Sequence, residues 1–185
     1  METVLRNLRN NVNDLLAEMT PGRMIALPVT ASGRVFHVAA HAFPKYAKQY
    51  KKHRNPFTLI DGVVYRAVVV ADTQSSKLTT SSVKKAYEDI FCDIPISVAE
   101  VLVIPIMPPT TLKSARSSIR IDDCWHSLCN AYDDLIPEGV NVIAFFGEEF
   151  PDFHRKPFNN LHNSRVTRPV VDFGTVNLFA GVAQW

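Results

Sequence analysis

Residues 57–71 have the sequence FTLI-DG-VVYRAVVVA, in which two apolar runs, Phe57–Ile60 and Val63–Ala71, flank Asp61-Gly62. Asp-Gly between apolar runs is a strong signal for a tight β-hairpin turn, because both turn positions need a positive φ that these residues accept. Val, Ile, Phe and Tyr are the residues that strands favour. The stretch therefore predicts an antiparallel hairpin, and a domain rich in β-structure around it.

The chain before this hairpin predicts a helix and a second hairpin. Apolar residues recur at three- and four-residue spacing from Val4 to Met19, which predicts an amphipathic helix over residues 1–20, ended by Pro21-Gly22. Such a helix packs on its own domain or acts as an arm on a neighbouring subunit. Residues 23–28 and 34–40 are both compatible with strands and flank the turn at 31–33, which predicts the second hairpin.

The chain after residue 71 alternates helix and strand signals. A Ser cap at 81 or 82 predicts a helix to about residue 91, and an Asp cap at 122 or 123 predicts another that ends at Pro137. The apolar runs 96–107, 140–146 and 170–183 predict strands. Because regular βαβ spacing is missing, we expect one α+β domain over residues 1–185 with a largely antiparallel sheet, the N-terminal helix and two further helices. A helix-decorated β-barrel or jelly roll is the alternative.

Charge is divided into two opposed blocks, which the net charge of +2 conceals. Between Met19 and Ile60 there are seven Lys and Arg residues and no acid, whereas Ile121 to His154 contains eight acids and no Lys or Arg. Like charges within a Debye length repel unless an opposite surface neutralises them. The blocks therefore predict association with a charged partner.

The basic block combines cations with aromatic residues, a composition that suits phosphate pairing and base stacking. A second, shorter basic cluster lies near residue 155. The predicted nucleic-acid-binding residues are Lys45, Lys48, Lys51, Lys52, Arg54, Tyr46, Tyr50, Arg155 and Lys156. An anionic membrane surface and a merely solvated face remain alternatives.

The acidic block could pair internally, stay solvated, bind a divalent cation or meet the basic block of another copy. The predicted self-association residues are Asp123, Asp133, Asp134, Glu148 and Glu149. We predict no metal and no cofactor, because Cys124, His126 and Cys129 would point in different directions on a helix. No nucleophile, zinc-protease or phosphate-loop motif is found, so no catalytic residue is predicted.

Two short segments resemble viral protein families. Residues 153–159, FHRKPFN, resemble a stretch of rhabdovirus matrix proteins, which implies nucleocapsid coating, self-association and membrane contact. Residues 68–72, VVVAD, are similar to a strand of the plant-virus movement-protein superfamily, which implies binding of single-stranded nucleic acid with Asp72 in a structural role.

Together these observations predict a non-enzymatic, self-associating viral structural protein of the matrix type. Its expected partners are other copies of itself, RNA or ribonucleoprotein, and in addition an anionic membrane surface or a host protein. The alternatives are a movement-type protein that binds single-stranded nucleic acid and a host-interaction module that does not. Three cysteines and no apolar run long enough to span a bilayer favour the host cytoplasm or the virion.

Overall fold

The computed structural model describes residues 2–9, 11–73, 78–106, 119–147, 150 and 168–171. Strands and helices are interspersed along this part of the chain. The strands are β1 (Leu5–Asn7), β2 (Arg23–Thr30), β3 (Phe57–Ile60), β4 (Val63–Ala71), β5 (Glu100–Val103) and β6 (Asn141–Ala144). The helices are α1 (Val12–Ala17), α2 (His37–Ala42), α3 (Pro44–His53), α4 (Thr80–Cys92) and α5 (Ile121–Leu135).

The strands form one mixed sheet in the order β1-β6-β5-β2-β4-β3. Among the described strands, four neighbouring pairs are parallel and only β3–β4 is antiparallel. The domain is therefore α/β with a mixed six-stranded sheet, and neither the largely antiparallel sheet nor the barrel alternative is confirmed. Parallel strands need long crossover connections, which the helices α2 to α5 supply.

Helices cover both faces of the sheet. One apolar cluster contains the buried side chains of α4 and α5, and a second contains those of α2 and α3. In β2 every residue after Arg23 is buried, because its neighbours are strands and both of its faces meet helices. A strand covered on both faces is apolar at every position instead of at every second one.

The hairpin at residues 57–71 is confirmed. β3 pairs antiparallel with β4 from Phe57↔Arg66 to Ile60↔Val63. The turn residues Asp61 and Gly62 have φ of 52° and 81°. Here the two turn residues and the apolar runs beside them were enough to predict the structure.

The helix predicted over residues 1–20 is wrong. Leu5 pairs in parallel with Val142, and the backbone N–H of Val4 donates to the side-chain oxygen of Asn141 at 3.1 Å. α1 begins only after Asn11, which forms a reciprocal capping box with Asp14. Because strand pairing satisfies the first backbone groups and the cap starts a new element, the apolar spacing is divided between a short strand and a short helix.

The hairpin predicted over residues 23–40 is wrong in its second half. The chain does turn after β2, and Val29 and Val35 form an isolated antiparallel bridge. It then enters α2 instead of a strand, and α3 follows over the basic stretch. No second strand forms, because the residues after Phe36 make helical hydrogen bonds instead of pairing with β2. The first of them is donated by the Ala40 N–H to the Phe36 carbonyl at 2.8 Å.

The two later helices are confirmed, although their caps are Thr79 and Arg120 instead of the predicted Ser and Asp residues. The strands predicted over 96–107 and 140–146 are shorter, at Glu100–Val103 and Asn141–Ala144. The strand predicted over 170–183 lies outside the described residues apart from 170 and 171. Among the described helices, none has the length and apolar character needed to cross a membrane.

Candidate functional site

The sheet has a topological switch point between β2 and β5. The chain leaves β2 toward β4 on one side of the sheet, and it leaves β5 toward β6 on the other side. In open α/β sheets, ligands bind in the crevice at the carboxyl ends of two strands whose connections diverge in this way. The carboxyl edge beside β2 is therefore the place where the fold favours a ligand.

The carboxyl ends of β2 and β5 separate from each other. Their register ends at Ile25↔Leu102, whereas β2 continues along β4 to Thr30↔Ala71. A gap therefore opens beside the carboxyl half of β2. The pairing of β2 with β5 stops at Leu102, one residue before β5 ends at Val103.

Tyr87 of α4 holds the chain that follows β5. The Tyr87 hydroxyl donates to the carbonyl oxygen of Ile104 at 2.9 Å and accepts from the backbone N–H of Ile106 at 3.2 Å. Cys124 of α5 donates from Sγ to the carbonyl oxygen of Ile106 at 3.0 Å. The two helices thus fix the backbone of residues 104–106, and this segment does not continue the pairing of β5 with β2.

Both of these side chains are structural groups. Burial raises the pKa of the Cys124 thiol to about 12, and burial also raises the pKa of Tyr87 well above its ordinary value. A thiol with so high a pKa stays protonated at neutral pH and is a poor nucleophile. Cys124 therefore positions the backbone and is not a candidate nucleophile.

Residues 34–36 fill the gap at the level of the sheet. The Phe36 N–H donates to the Pro28 carbonyl at 3.1 Å, and the Thr30 N–H donates to the Arg34 carbonyl at 2.8 Å. Phe36 is 3% exposed and packs into the cluster of α4 and α5. Pro28, which lacks an N–H, fits this side of β2 because the partner here is an irregular segment instead of a full strand. The level of the sheet itself is therefore occupied, and a ligand at this edge would lie beyond Phe36, next to the loop of residues 31–34.

The backbone N–H groups of that loop are all used by the protein itself. Residues 31–34 donate, in order, to Ala71 O at 2.9 Å, Asp72 O at 3.1 Å, Thr30 O at 3.1 Å and Thr30 Oγ1 at 3.1 Å. A backbone anion site needs several N–H groups that converge without protein partners. This loop offers none within residues 31–34.

The side chain of Arg54 packs against Gly33 of this loop. A Cβ placed on Gly33 would lie 2.5 Å from Nε, 3.0 Å from Cζ and 3.1 Å from Nη2 of Arg54. Gly33 also has φ of +96°, a conformation that side chains with a Cβ rarely adopt. The loop is thus built so that a guanidinium lies directly on its backbone at the carboxyl edge.

The predicted basic surface is divided by the structure. Lys48, Lys51 and Lys52 are exposed along α3, and Arg54 follows at its carboxyl end. Lys45, at the other end of α3, lies 3.7 Å from Asp61 in the β3–β4 turn, at the amino edge of the sheet. Nine helical residues span about 14 Å, so Lys45 and Arg54 do not belong to one site.

The aromatic part of that surface is buried. Tyr46 is 1% exposed and Tyr50 is 5% exposed, and Tyr46 stacks on Tyr65 with ring centroids 4.9 Å apart. Burial raises the pKa of both Tyr46 and Tyr50. These rings belong to the core beneath α3 and are not available for stacking on bases.

The predicted acidic surface is also separated. Asp123 lies in the first turn of α5, where its carboxylate accepts the Arg120 N–H at 2.9 Å, and Asp133 and Asp134 are exposed at the other end of the helix. Ten helical residues span about 15 Å, so these acids do not converge. Arg155, Lys156, Glu148 and Glu149 lie outside the described residues.

The sequence interpretation did not place Gly33, Arg34 or Tyr87 in the candidate site. A glycine inside the 31–33 turn was a visible signal for a positive φ. The contact between Gly33 and Arg54, and the bonds from Tyr87 to residues 104 and 106, join parts of the chain that no local pattern relates.

Comparisons with known proteins identify the fold. No protein-family model matches the chain, and no curated protein matches it in sequence. The macrodomain of Thermus aquaticus DarG is similar in structure, with a TM-score of 0.54 and 17% identity over 77% of this chain and 98% of that one. The macrodomain of Mycobacterium tuberculosis DarG gives a TM-score of 0.53 and 13% identity over 77% and 97%.

These comparisons overturn the viral interpretation. The resemblance to matrix and movement proteins is wrong, because the neighbours of this fold are macrodomains. The same finding contradicts the predicted non-enzymatic structural role and the predicted partners, namely other copies, RNA or ribonucleoprotein, a membrane surface and a host protein. At identities of 17% and 13% the likeness is one of architecture, and the chain has the macrodomain fold.

Proposed function

We propose that this chain binds ADP-ribose, the ligand to which the macrodomain neighbours point, at the carboxyl edge of β2 and β5. The observation that carries the proposal is the switch point between these two strands in a sheet of macrodomain topology. Sites of this kind bind nucleotide-like ligands because loops from two diverging crossovers meet there.

The side chains around this edge suit the parts of ADP-ribose. Arg34 and Arg54 are exposed cations for a diphosphate. Asp72, whose carbonyl accepts the Ser32 N–H, brings a carboxylate of the kind that binds ribose hydroxyls. Ile104, half-buried after β5, offers apolar surface for a base.

The comparison with DarG also favours processing of ADP-ribose conjugates over passive binding. The ligand would then arrive attached to another molecule, and the conjugate would extend from the site into solvent. We therefore expect hydrolysis as a second activity, in which water replaces the conjugated molecule and ADP-ribose is released. The sparse, unpaired cysteines support an intracellular setting for it.

Calorimetric titration with ADP-ribose, AMP and ribose 5-phosphate tests the proposal. We expect ADP-ribose to bind with a dissociation constant on the order of micromolar and more tightly than either fragment, because it reaches the contacts of both. Lys45→Ala is the control variant, because it removes a cation from the opposite edge of the sheet. Its affinity for ADP-ribose should equal that of the unchanged protein.

A titration in which ADP-ribose binds no better than AMP would contradict the proposal. The second activity is tested by incubating the protein with a mono-ADP-ribosylated protein and measuring free ADP-ribose by mass spectrometry. Release that follows the amount of added protein is the expected result, and a conjugate that stays intact would limit the function to binding.

A further inference from the structure

We infer that the anionic group of the ligand is held by the guanidinium of Arg54, with Arg34 beside it, in place of backbone N–H groups of the loop. The identity of the ligand rests on the proposed function. The anion site itself is argued from contacts at residues 31–34 and 54. The inference therefore names a specificity-determining residue at the edge of α3.

The first step is the state of the loop backbone. Each N–H of residues 31–34 donates to a protein oxygen at 2.9 to 3.1 Å. Releasing any of them to an anion would break a bond that fixes the loop to β2 or β4. An anion at this loop must therefore be bound by side chains.

The second step is the position of the Arg54 guanidinium. Its Nε, Cζ and Nη2 lie 2.5, 3.0 and 3.1 Å from the place where a Cβ of Gly33 would be. Gly33 is buried, whereas its neighbours Ser32 and Arg34 are exposed. The guanidinium thus covers the loop and stands between it and solvent, where a ligand above Phe36 would arrive.

The third step is the backbone of Arg54. It caps α3 in the left-handed region, with φ of 50° and ψ of 33°, and its N–H donates to the Tyr50 carbonyl at 2.8 Å. Glycine and asparagine are the residues that suit this position, since a Cβ makes it unfavourable. An arginine here is a worse cap than glycine, and unfavourable backbone conformations of this kind collect at binding sites.

The fourth step is charge. In the described part of the chain no salt bridge joins Arg34 or Arg54 to an acid, and Lys51 and Lys52 add positive potential in the last turn of α3. A guanidinium presents its donors in a planar fork that matches two oxygens of a phosphate. The site therefore suits a phosphate or diphosphate group.

Arg54→Gly separates binding from folding. Glycine relieves the backbone of the cap, so the variant should unfold at a higher urea concentration than the unchanged protein. It should bind inorganic pyrophosphate and ADP-ribose about ten- to a hundredfold more weakly, the effect of losing hydrogen bonds to a charged group. Lys48→Ala, which removes an equal charge from an exposed position nearer the middle of α3, should change either affinity less than about twofold.

Gly33→Ala is a second, independent variant, because its new Cβ would displace the Arg54 guanidinium. Gly22→Ala is its matched control, since Gly22 has a similar φ of +87° but no atom within 4 Å of an added Cβ. We expect Gly33→Ala to weaken pyrophosphate binding and Gly22→Ala to leave it unchanged. Equal effects of the two would overturn the inference.

The two probes distinguish the inference from the proposed function. If ADP-ribose binds the unchanged protein and Arg54→Gly equally well, the inference is overturned and the proposed function stands. If pyrophosphate binds and Arg54→Gly weakens it while ADP-ribose does not bind, the inference stands and the proposed function fails. If the unchanged protein binds neither probe, both are overturned.

Discussion

Tyr87→Phe is the substitution that should most directly disturb the end of β5. It keeps the buried ring but removes the hydroxyl that donates to Ile104 O at 2.9 Å and accepts from Ile106 N at 3.2 Å. Tyr87 is fully buried, so water does not replace the missing oxygen. Two backbone groups of the segment after β5 then lose their partner.

The size of the effect follows from these two bonds. Leaving a buried backbone group without its partner costs about 1–3 kcal/mol. Ile104 O is only part-buried and can recover some hydration, so we count the full penalty for Ile106 N and a smaller one for Ile104 O. The free energy of unfolding should fall by about 2–3 kcal/mol.

Tyr46→Phe makes the same chemical change with the opposite expectation. The Tyr46 hydroxyl is buried, and among the described residues it has no hydrogen-bond partner. Removing an unpaired buried hydroxyl should raise the free energy of unfolding by about 1 kcal/mol. The pair of variants thus controls for the general effect of replacing a buried tyrosine by phenylalanine.

Urea unfolding followed by circular dichroism measures both changes, because the midpoint shifts with stability while the slope reports the surface exposed. ADP-ribose titration of Tyr87→Phe should also show weaker binding, since the segment after β5, at the edge of the proposed site, is no longer held in place. A loss below about 0.5 kcal/mol for Tyr87→Phe, or a loss for Tyr46→Phe as large as that for Tyr87→Phe, would refute this hydrogen-bond reasoning.

Two further predictions concern the core and the edge strand. Burial raises the pKa of both Cys124 and Cys129 from 9.0 to about 12, so the folded state keeps these protons longer than the unfolded state. The contribution of these two thiols to stability should therefore be fully present below about pH 9 and should be lost as the pH rises from 9 toward 12. Urea unfolding of the reduced protein at pH 8 and at pH 10.5 measures this, and a higher free energy of unfolding at pH 10.5 would contradict it. Asn141→Ala removes the acceptor of the Val4 N–H and should speed amide exchange in residues 4–8, while exchange in β4 stays the same. Unchanged exchange in residues 4–8 would argue against the pairing of β1.

The elements that the sequence predicted well are those encoded within a few residues. The hairpin at 57–71 depends on two turn residues and on neighbouring apolar runs, and both are adjacent in the chain. The helices at 80–92 and 121–135 bury one face each, so the spacing of their apolar residues fits a helix and not a strand. Local rules suffice where the partners are local.

The sheet as a whole could not be predicted in the same way. Leu5 pairs with Val142, and β2 lies between β4 and β5, so most of the pairings join distant segments. Parallel strands share no turn that would mark them as neighbours. One signal was available, because the continuous apolar run at 24–29 is typical of a strand buried on both faces, whereas a hairpin strand at a surface alternates.

Charge drew attention to α3 but could not distinguish Arg54 from the other cations of that helix. Lys45 and Arg54 are equivalent in a count of cations, yet one lies beside Asp61 at the amino edge and the other lies on Gly33 at the carboxyl edge. What separates them is the direction of α3 across the sheet, together with a single left-handed residue at its end. Because that backbone conformation disfavours arginine, the presence of arginine there is the stronger indication of a site than the charge of the whole stretch. Exchanging Arg54 for glycine should therefore weaken ligand binding more than exchanging any one of the exposed lysines on α3 for alanine. An equal loss of affinity in Lys48→Ala would mean that the overall positive charge of α3, and not the position of Arg54, explains the binding.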